Sequence, residues 1–270
     1  MNKVIQANQI TSCYIGPKIS PEHFVAEHFF LYLTKGTMNG YDGHQNYTLR
    51  PGEYCMVRKN HLVRYNKQKE NEEFEKVIVI FDEIFLKQFQ QKHKIRAGGT
   101  KTNDAFIRLK KNELIGNFLQ SLKLYYNNQG AVSDTFADIK REELLMILLQ
   151  SVPELAHVFF DFGVPQTIDL ESFMNRNFRF NVAIQRFAYL TGRSLTRFKQ
   201  DFKKVFNETP SRWLIQKRLQ EAYFLMDKKG RRASEVYLEV GFEDLSHFSF
   251  AFKKSFGFPP RELAERNENE

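Results

Sequence analysis

Two segments near the C-terminus repeat one arrangement of residues, and this repeat restricts the folds open to the chain more than any other feature. Each segment contains a glycine, then a serine or aspartate, then three phenylalanines spaced four residues apart. The residues are Gly192, Ser194, Phe198, Phe202 and Phe206 in the first segment, and Gly241, Asp244, Phe248, Phe252 and Phe256 in the second. Glycine can adopt the left-handed conformation that ends a helix, and a serine or aspartate side chain caps the next helix. Each segment therefore predicts a helix, a tight turn and a second helix.

Each predicted second helix has a buried side and an exposed side. Phenylalanines four residues apart lie on one side of a helix and pack inward. The other side carries polar and basic residues, and a short helix with such a surface can enter the major groove of DNA and reach base edges. The predicted DNA contacts are Arg193, Thr196, Arg197, Lys199, Gln200 and Lys203 in the first unit, and Ser246, His247, Ser249, Phe250 and Lys253 in the second. Two plain amphipathic helices would explain the phenylalanines, but not the recurrence of glycine, cap and Phe-Lys pair.

The positive charge of the chain lies in the same region. The net charge is +8, and residues 176–261 contain 18 lysines and arginines against 8 acidic residues. The remaining residues contain 22 basic residues against 24 acidic ones. A basic excess confined to one segment is typical of a polyanion-binding domain, although charge alone fits a solvated basic surface equally well.

The segment between the repeats predicts one connecting helix. Pro210 suits the first turn of a helix, and apolar residues follow it at helical spacing. They are Trp213, Leu214, Ile215, Leu219, Ala222 and Met226. A helix of about 15 residues would span roughly 22 Å, enough to hold both units toward one side of a duplex. Trp213 is predicted to belong to the buried stripe rather than to stack on a base.

These residues resemble the DNA-binding domain of the AraC/XylS family of bacterial regulators. The matching residues, in unbroken order between Phe187 and Pro260, are Ala188, Gly192, Ser194, Phe202-Lys203, Thr209-Pro210, Trp213-Leu214, Arg218-Leu219, Ala222, Gly241-Phe242, Phe252-Lys253, Gly257 and Pro260. The resemblance implies a sequence-specific transcription regulator, usually an activator, with recognition helices in adjacent major-groove segments of double-stranded DNA. It further implies RNA polymerase as a partner and an N-terminal domain that senses a ligand or protein, or dimerises.

The chain also departs from the family pattern in its recognition helices. Two residues before each Phe-Lys pair the family often has an arginine, whereas this chain has Gln200 and Phe250. Glutamine suits adenine, and phenylalanine can make only apolar contacts, for example with a thymine methyl group. The recognised DNA sequence therefore does not follow from the resemblance.

The N-terminal part of the chain predicts a different kind of domain. Residues 1 to about 90 contain short runs typical of strands, the clearest at Val77 to Phe81, and Pro51-Gly52 marks a turn. Residues 104–160 change to a helical period, with an acidic pair at Glu142-Glu143 that suits a helix start. Their apolar faces fit either a domain core or a dimer seam.

The predicted fold class is α+β, with two domains. Residues 1–160 are predicted to form a cupin-like β-barrel or sandwich with flanking helices that serves sensing or dimerisation. Residues 161–167, which contain glycine and proline, form the predicted linker. Residues 168–270 form the predicted all-α domain of two helix-turn-helix units joined by a long helix. The cupin-like resemblance rests on a few positions around the Pro51-Gly52 turn.

Enzyme and membrane functions are not indicated. The chain has no phosphate loop, GxGxxG or GxSxG motif, no apolar run near the roughly 20 residues of a membrane span, and no signal-peptide pattern. Cys13 and Cys55 form no CxxC pair, and His28, His44 and His61 are scattered, so that no metal or cofactor is predicted. Free thiols favour a cytoplasmic location. Two alternatives stay open, a cupin-type metal enzyme and a non-specific nucleic-acid-binding protein.

Overall fold

The computed structural model of the chain describes residues 10–14, 24–70, 73–96, 104–126 and 131–267. The chain divides into two compact units, the first extending to Gly163 and the second beginning at Val164, with Phe24 grouped with the second. No helix in the described ranges is long and apolar enough to cross a membrane.

The described strands of the first unit form three sheets. The strands are β1 Ile10–Tyr14, β2 Phe24–Val25, β3 His28–Lys35, β4 Thr37–Tyr41, β5 Asn46–Leu49, β6 Tyr54–Val57, β7 His61–Leu62, β8 Arg64–Gln68, β9 Glu75–Phe81 and β10 Phe106–Arg108. The largest sheet has the order β1-β9-β3-β6-β10, a second has the order β5-β4-β8, and β2 pairs with β7. The strand predicted at Val77 to Phe81 is confirmed, as is the turn after Pro51, where Gly52 has a φ of +84°.

Helices cover one face of the largest sheet. They are α1 Glu83–His93, α2 Glu113–Leu122, α3 Asp134–Ser151 and the short α4 Ala156–Phe159. Phe30, Val79 and Phe81 of the sheet form one core with buried residues of these helices, such as Phe118 and Leu145. On the opposite face, Leu31 and Cys55 share a second core with Met38 and Leu49 of the smaller sheet. The first unit is therefore a mixed sheet-and-helix domain whose sheets face each other across an apolar layer.

One sequence-based prediction for this unit was wrong, and one helix was missed. Helix α1 occupies residues assigned to the mostly β region, and its start is fixed by Asp82, whose side chain accepts a hydrogen bond from the Phe85 amide at 3.0 Å. Helix α3 begins at Asp134, well before Glu142, so that the acidic pair lies inside the helix. Glu142 instead contacts α1, accepting from Lys92 Nζ at 2.7 Å and lying 2.7 Å from the ring of His93.

The second unit is all-helical. Its helices are α5 Leu170–Asn177, α6 Ile184–Leu190, α7 Leu195–Phe206, α8 Pro210–Lys229, α9 Ala233–Glu239, α10 Leu245–Phe256 and α11 Pro260–Asn267. The pairs α6 with α7 and α9 with α10 are the two predicted helix-turn-helix units. Helix α5 begins where the sequence predicted, after Asp169, whose side chain accepts from the Ser172 amide at 2.6 Å.

The connecting helix α8 is longer than predicted. It has 20 residues, starts with Pro210 in its first turn, and ends at Gly230 in the left-handed conformation with φ +61°. At 1.5 Å per residue its length is about 30 Å. The predicted apolar stripe is confirmed at Leu214, Leu219, Ala222 and Met226, which are buried, whereas Trp213 is half-buried and Ile215 is 37% exposed. Its neighbour Leu214 takes the buried position, because successive helical residues point about 100° apart.

Candidate nucleic-acid interface

Both turns of the helix-turn-helix units depend on glycine. Gly192 has φ +66° and Gly241 has φ +102°, a region that residues with a Cβ seldom adopt. Both glycines also lie against other backbone. A Cβ on Gly192 would stand 2.5 Å from the carbonyl carbon of Gln166, and one on Gly241 would stand 2.6 Å from the carbonyl oxygen of Arg179. The glycines are thus required for conformation and for space.

The predicted caps and buried stripes are confirmed. The Ser194 hydroxyl accepts a hydrogen bond from the Arg197 amide at 3.3 Å, and the Asp244 carboxylate accepts from the His247 amide at 2.7 Å. The first two phenylalanines of each stripe are fully buried and the third is partly buried; the six are Phe198, Phe202, Phe206, Phe248, Phe252 and Phe256. Each cap fixes where its recognition helix begins, and each stripe fixes which side faces inward.

Both stripes pack on aromatic residues of α8. Trp213 lies 5.6 Å from Phe202 and 4.6 Å from Phe206, measured between ring centroids. Tyr223, further along the same helix, lies 6.2 Å from Phe252 and 5.0 Å from Phe256. Trp213 is half-buried, so it anchors the first helix-turn-helix unit without being enclosed. Helix α8 therefore contacts the second and third phenylalanines of both stripes, edge-on from Trp213 to Phe202 and stacked from Tyr223 to Phe252.

A buried arginine joins α5, α8 and the second turn. Arg218 donates from Nε to the carbonyl of Phe178 and from Nη2 to the carbonyl of Phe180, both at 2.8 Å. Burial lowers the pKa of Arg218 to about 10, so that the guanidinium stays protonated at neutral pH. A Cβ on Gly241 would stand 2.9 Å from Arg218 Nε. Arg218 was noted in the sequence only as part of the family pattern, and the structure shows what it holds.

Most of the predicted contact residues share the exposed sides of α7 and α10. On α7 these are Thr196, Arg197, Lys199, Gln200 and Lys203, and on α10 they are Ser246, His247, Phe250 and Lys253. Ser249 is half-buried, whereas Phe250 is 70% exposed despite being apolar. The α7 surface therefore carries more positive charge than the α10 surface.

Arg193 does not share this exposed surface. Its side chain is only 12% exposed, and its Nε contacts Asp201 Oδ2 at 3.2 Å. Its Nη1 donates to the carbonyls of Ile168 at 3.0 Å and Thr191 at 2.8 Å. Arg193 is thus bound within the unit, which the sequence could not show because its partners lie on three different segments.

Asp201 also contacts Arg197, whose Nε donates to the same Oδ2 at 2.9 Å. Desolvation alone would raise the pKa of the Asp201 carboxyl, but the hydrogen bonds from Arg197 and Arg193 outweigh it and lower that pKa. Asp201 is therefore ionised at neutral pH and holds two arginines. No pattern in the sequence marks Asp201 as a functional residue.

Further basic residues flank the exposed surface. Lys204 and Lys254 are exposed in the last turns of α7 and α10, directly after Lys203 and Lys253. The repeat of Phe-Lys-Lys at the same offset was the signal for these residues, although only the first lysine of each pair was predicted to contact DNA.

Two capped recognition helices with exposed polar surfaces, held by one connecting helix, define a DNA-binding transcription regulator of the double helix-turn-helix class. Residues 187–266 match the family described as Helix-turn-helix domain, and residues 28–158 match the family described as ExsA N-terminal regulatory domain. The chain belongs to the AraC family of transcription regulators.

Two sequence relatives agree with this assignment, and one solved structure aligns with most of the chain. The HTH-type transcriptional regulator ExsA of Pseudomonas aeruginosa is 24% identical over 265 residues, covering 96% of this chain and 93% of the relative. The virulence regulon transcriptional activator VirF of Yersinia enterocolitica is 27% identical over 128 residues, covering 45% of this chain and 46% of the relative. A structure of unsaturated fatty acid bound ToxT from Vibrio cholerae aligns over 95% of this chain and 93% of its own, with 10% identity and a TM-score of 0.40. Because the family and these sequence relatives are regulators, the metal-enzyme alternative is set aside.

Proposed function

We propose that this chain is a sequence-specific transcription activator that places α7 and α10 in adjacent major-groove segments of one duplex. The observation that carries the proposal is the attachment of both recognition helices to the single helix α8, one through Trp213 and the other through Tyr223. These two residues are ten positions apart, about 15 Å along the helix axis. One continuous helix therefore fixes the two recognition helices relative to each other, which favours simultaneous contact with one duplex.

The exposed residues divide into those that read bases and those that contact phosphates. Thr196, Lys199 and Gln200 lie near the start and middle of α7, where side chains of a recognition helix reach base edges. Lys203 and Lys253 lie in the last turns of α7 and α10 and suit phosphate contacts. Phosphate contacts fix the register of the helix, and base contacts supply the sequence preference.

The remaining exposed residues belong to the same proposal. Ser246, His247 and Ser249 supply the polar contacts of α10, and Phe250 supplies an apolar one, for which a thymine methyl group is the fitting partner. Arg197 contacts phosphate beside α7. Arg193 takes part through the contacts that it makes within the unit rather than by reaching DNA itself.

Activation is proposed from a relative, since VirF is described as a transcriptional activator. The proposed partner for this role is RNA polymerase, and the proposed location is the cytoplasm, where the chromosome of a bacterium lies. The proposed domain division is residues 1–160 for a cupin-like regulatory and dimerising domain, 161–167 for the linker and 168–270 for the DNA-binding domain.

The regulatory input is proposed to act on the first unit. The Phe106 ring lies between the two sheets, 4.4 Å from Tyr47 and 5.8 Å from Tyr65, and rests on Gly40, where a Cβ would stand 2.8 Å from it. The enclosed space beside Phe106 and Gly40 is about 10 Å³, room for about one water molecule. A more open cleft, which Phe106 lines together with Asp104 and Arg108, is about 480 Å³. A small-molecule effector in the enclosed space would therefore have to displace Phe106, whereas one in the open cleft, a protein partner or a second copy would not.

The experiment that tests the proposal is selection of duplexes from a random pool by the full chain. Enrichment of two short conserved segments about one helical turn apart supports it. Recovery of unenriched DNA would instead identify a non-specific nucleic-acid-binding protein. Transcription by purified RNA polymerase from a promoter that carries the selected site then separates activation from repression.

A further inference from the structure

Asp201 is the only acidic residue of α7, and the predicted DNA contacts on that helix are all polar or basic. It lies on α7 between Gln200 and Phe202, and only 17% of its side chain is exposed. The repeat aligns Phe198 with Phe248, so the corresponding position of α10 is Ala251. A carboxylate beside a DNA-binding surface opposes the approach of phosphates. The first helix-turn-helix unit therefore carries a negative charge at a position where the second unit has an uncharged residue.

The contacts of Asp201 indicate what this charge does. Its Oδ2 accepts from the Nε of Arg193 and from the Nε of Arg197. Arg193 is immobilised by two backbone carbonyls, which fixes the carboxylate from one side. The side chain of Arg197 is 63% exposed, and its Nη atoms make no hydrogen bond to the part of the chain that the structure describes. Arg197 is thus held by one edge of its guanidinium while the other edge is free.

We propose that Asp201 is a positioning residue that aims the free edge of Arg197 at one phosphate and thereby sets the register of α7 on its DNA site. The inference rests on the proposed function and deepens it. An arginine offers five N–H donors in a rigid fork, so fixing Nε also fixes the direction of the two Nη groups. Without Asp201, Arg197 still carries its charge but no longer selects one position along the backbone.

This role makes two opposite predictions for one substitution. Asp201→Asn removes a negative charge beside DNA, so binding to random duplexes should stay unchanged or become tighter. Binding to the preferred site should lose its advantage, because a phosphate contact fixes the register from which bases are read. We expect the ratio of the two affinities to fall by about tenfold, within the range of one specific base contact.

The test uses the full chain and two probes, the best duplex that the wild-type chain selects and the unselected random pool. The matched control is Glu208→Gln, which removes one negative charge near the end of α7 from a residue paired with the exposed Arg212 at 2.8 Å. This control should change both affinities by the same factor. Asp201→Glu, which restores the carboxylate, should recover part of the lost ratio.

Arg197→Gln provides a second route if Asp201→Asn melts at a lower temperature. It leaves the contact between Arg193 and Asp201 intact and should lower the ratio to a similar extent. The double variant should fall no further than either single variant, because both changes act through one side chain. An unchanged ratio in Asp201→Asn or in Arg197→Gln would overturn the inference. A wild-type chain that binds both probes equally would instead refute the proposed function itself.

Discussion

Alanine at Gly192 and at Gly230 should destabilise the second unit to different extents, although the two glycines have nearly the same backbone conformation. Their φ angles are +66° and +61°. A Cβ on Gly192 would stand 2.5 Å from both the carbonyl carbon of Gln166 and the amide nitrogen of Thr167, whereas one on Gly230 would meet nothing within 4 Å. The pair therefore separates backbone strain from steric overlap.

The magnitudes follow from these contacts. The left-handed conformation costs an alanine about 1 kcal/mol, and this cost applies to both positions. At Gly192 the overlap is with backbone, which cannot rotate away as a side chain can, and overpacking of this kind costs about 1–3 kcal/mol. Displacing residues 166 and 167 also loses the hydrogen bond from Thr167 Oγ1 to the Gly192 carbonyl at 3.2 Å, worth about 1 kcal/mol. We expect a loss of unfolding free energy of about 3 kcal/mol or more for Gly192→Ala and about 1 kcal/mol for Gly230→Ala.

Trp213 provides the assay, because it is the only tryptophan of the chain. It lies in α8 against Phe202 and Phe206, so that its fluorescence reports unfolding of the second unit. Urea titration of the two variants and the wild-type chain then gives the two free-energy differences. If Gly230→Ala loses as much unfolding free energy as Gly192→Ala, or more, then residues 166 and 167 do not pack against the turn at Gly192.

Three further predictions concern the same unit. A fragment of residues 164–267 should bind DNA with an affinity that falls steeply with salt, and it should unfold at higher urea than one of residues 168–264, which lacks the Thr167 contact; binding without a salt slope would contradict phosphate contacts. Trp213→Ala should lower the unfolding free energy by about 2–3 kcal/mol, less than for a fully buried ring; unchanged stability by circular dichroism with lost DNA binding would assign Trp213 to the DNA. Gln200→Ala should flatten base preference in one half of the selected site by roughly 1–3 kcal/mol, and Phe250→Ala should change preference little; single-base variants of the site give the comparison, and equal losses in both halves would reverse the ranking.

The second unit was largely predictable because its signals are local and occur twice. A glycine with positive φ, a capping side chain two or three residues later and a phenylalanine stripe each need only a few residues of sequence, and all of them formed as predicted. The repeat also distinguished a double helix-turn-helix unit from an ordinary helical core. What could not be predicted is where Arg193 points. Its partners are Ile168 before α5, Thr191 in the turn and Asp201 on α7, and these come together only in the folded unit.

The first unit was less predictable because its decisive contacts are long-range. The start of α1 depends on the Asp82 cap, which follows directly on a strand and gives no periodic signal of its own. The Glu142-Glu143 pair has the composition of a helix start, yet Glu142 contacts α1 from the middle of α3. The apolar periods were recognised correctly, but the element boundaries needed tertiary structure.

The separation of the two sides of each recognition helix has a consequence for how such a regulator evolves. The phenylalanines that hold α7 and α10 are buried, whereas Thr196, Gln200 and Phe250 have their side chains in solvent. Substitutions at the solvent-facing positions cost little folding stability, because surface changes are usually within about 0.5 kcal/mol. Single mutations at these positions can therefore change which promoters the protein binds while the domain stays folded. Because each helix is anchored separately on α8, the two halves of the operator can diverge independently.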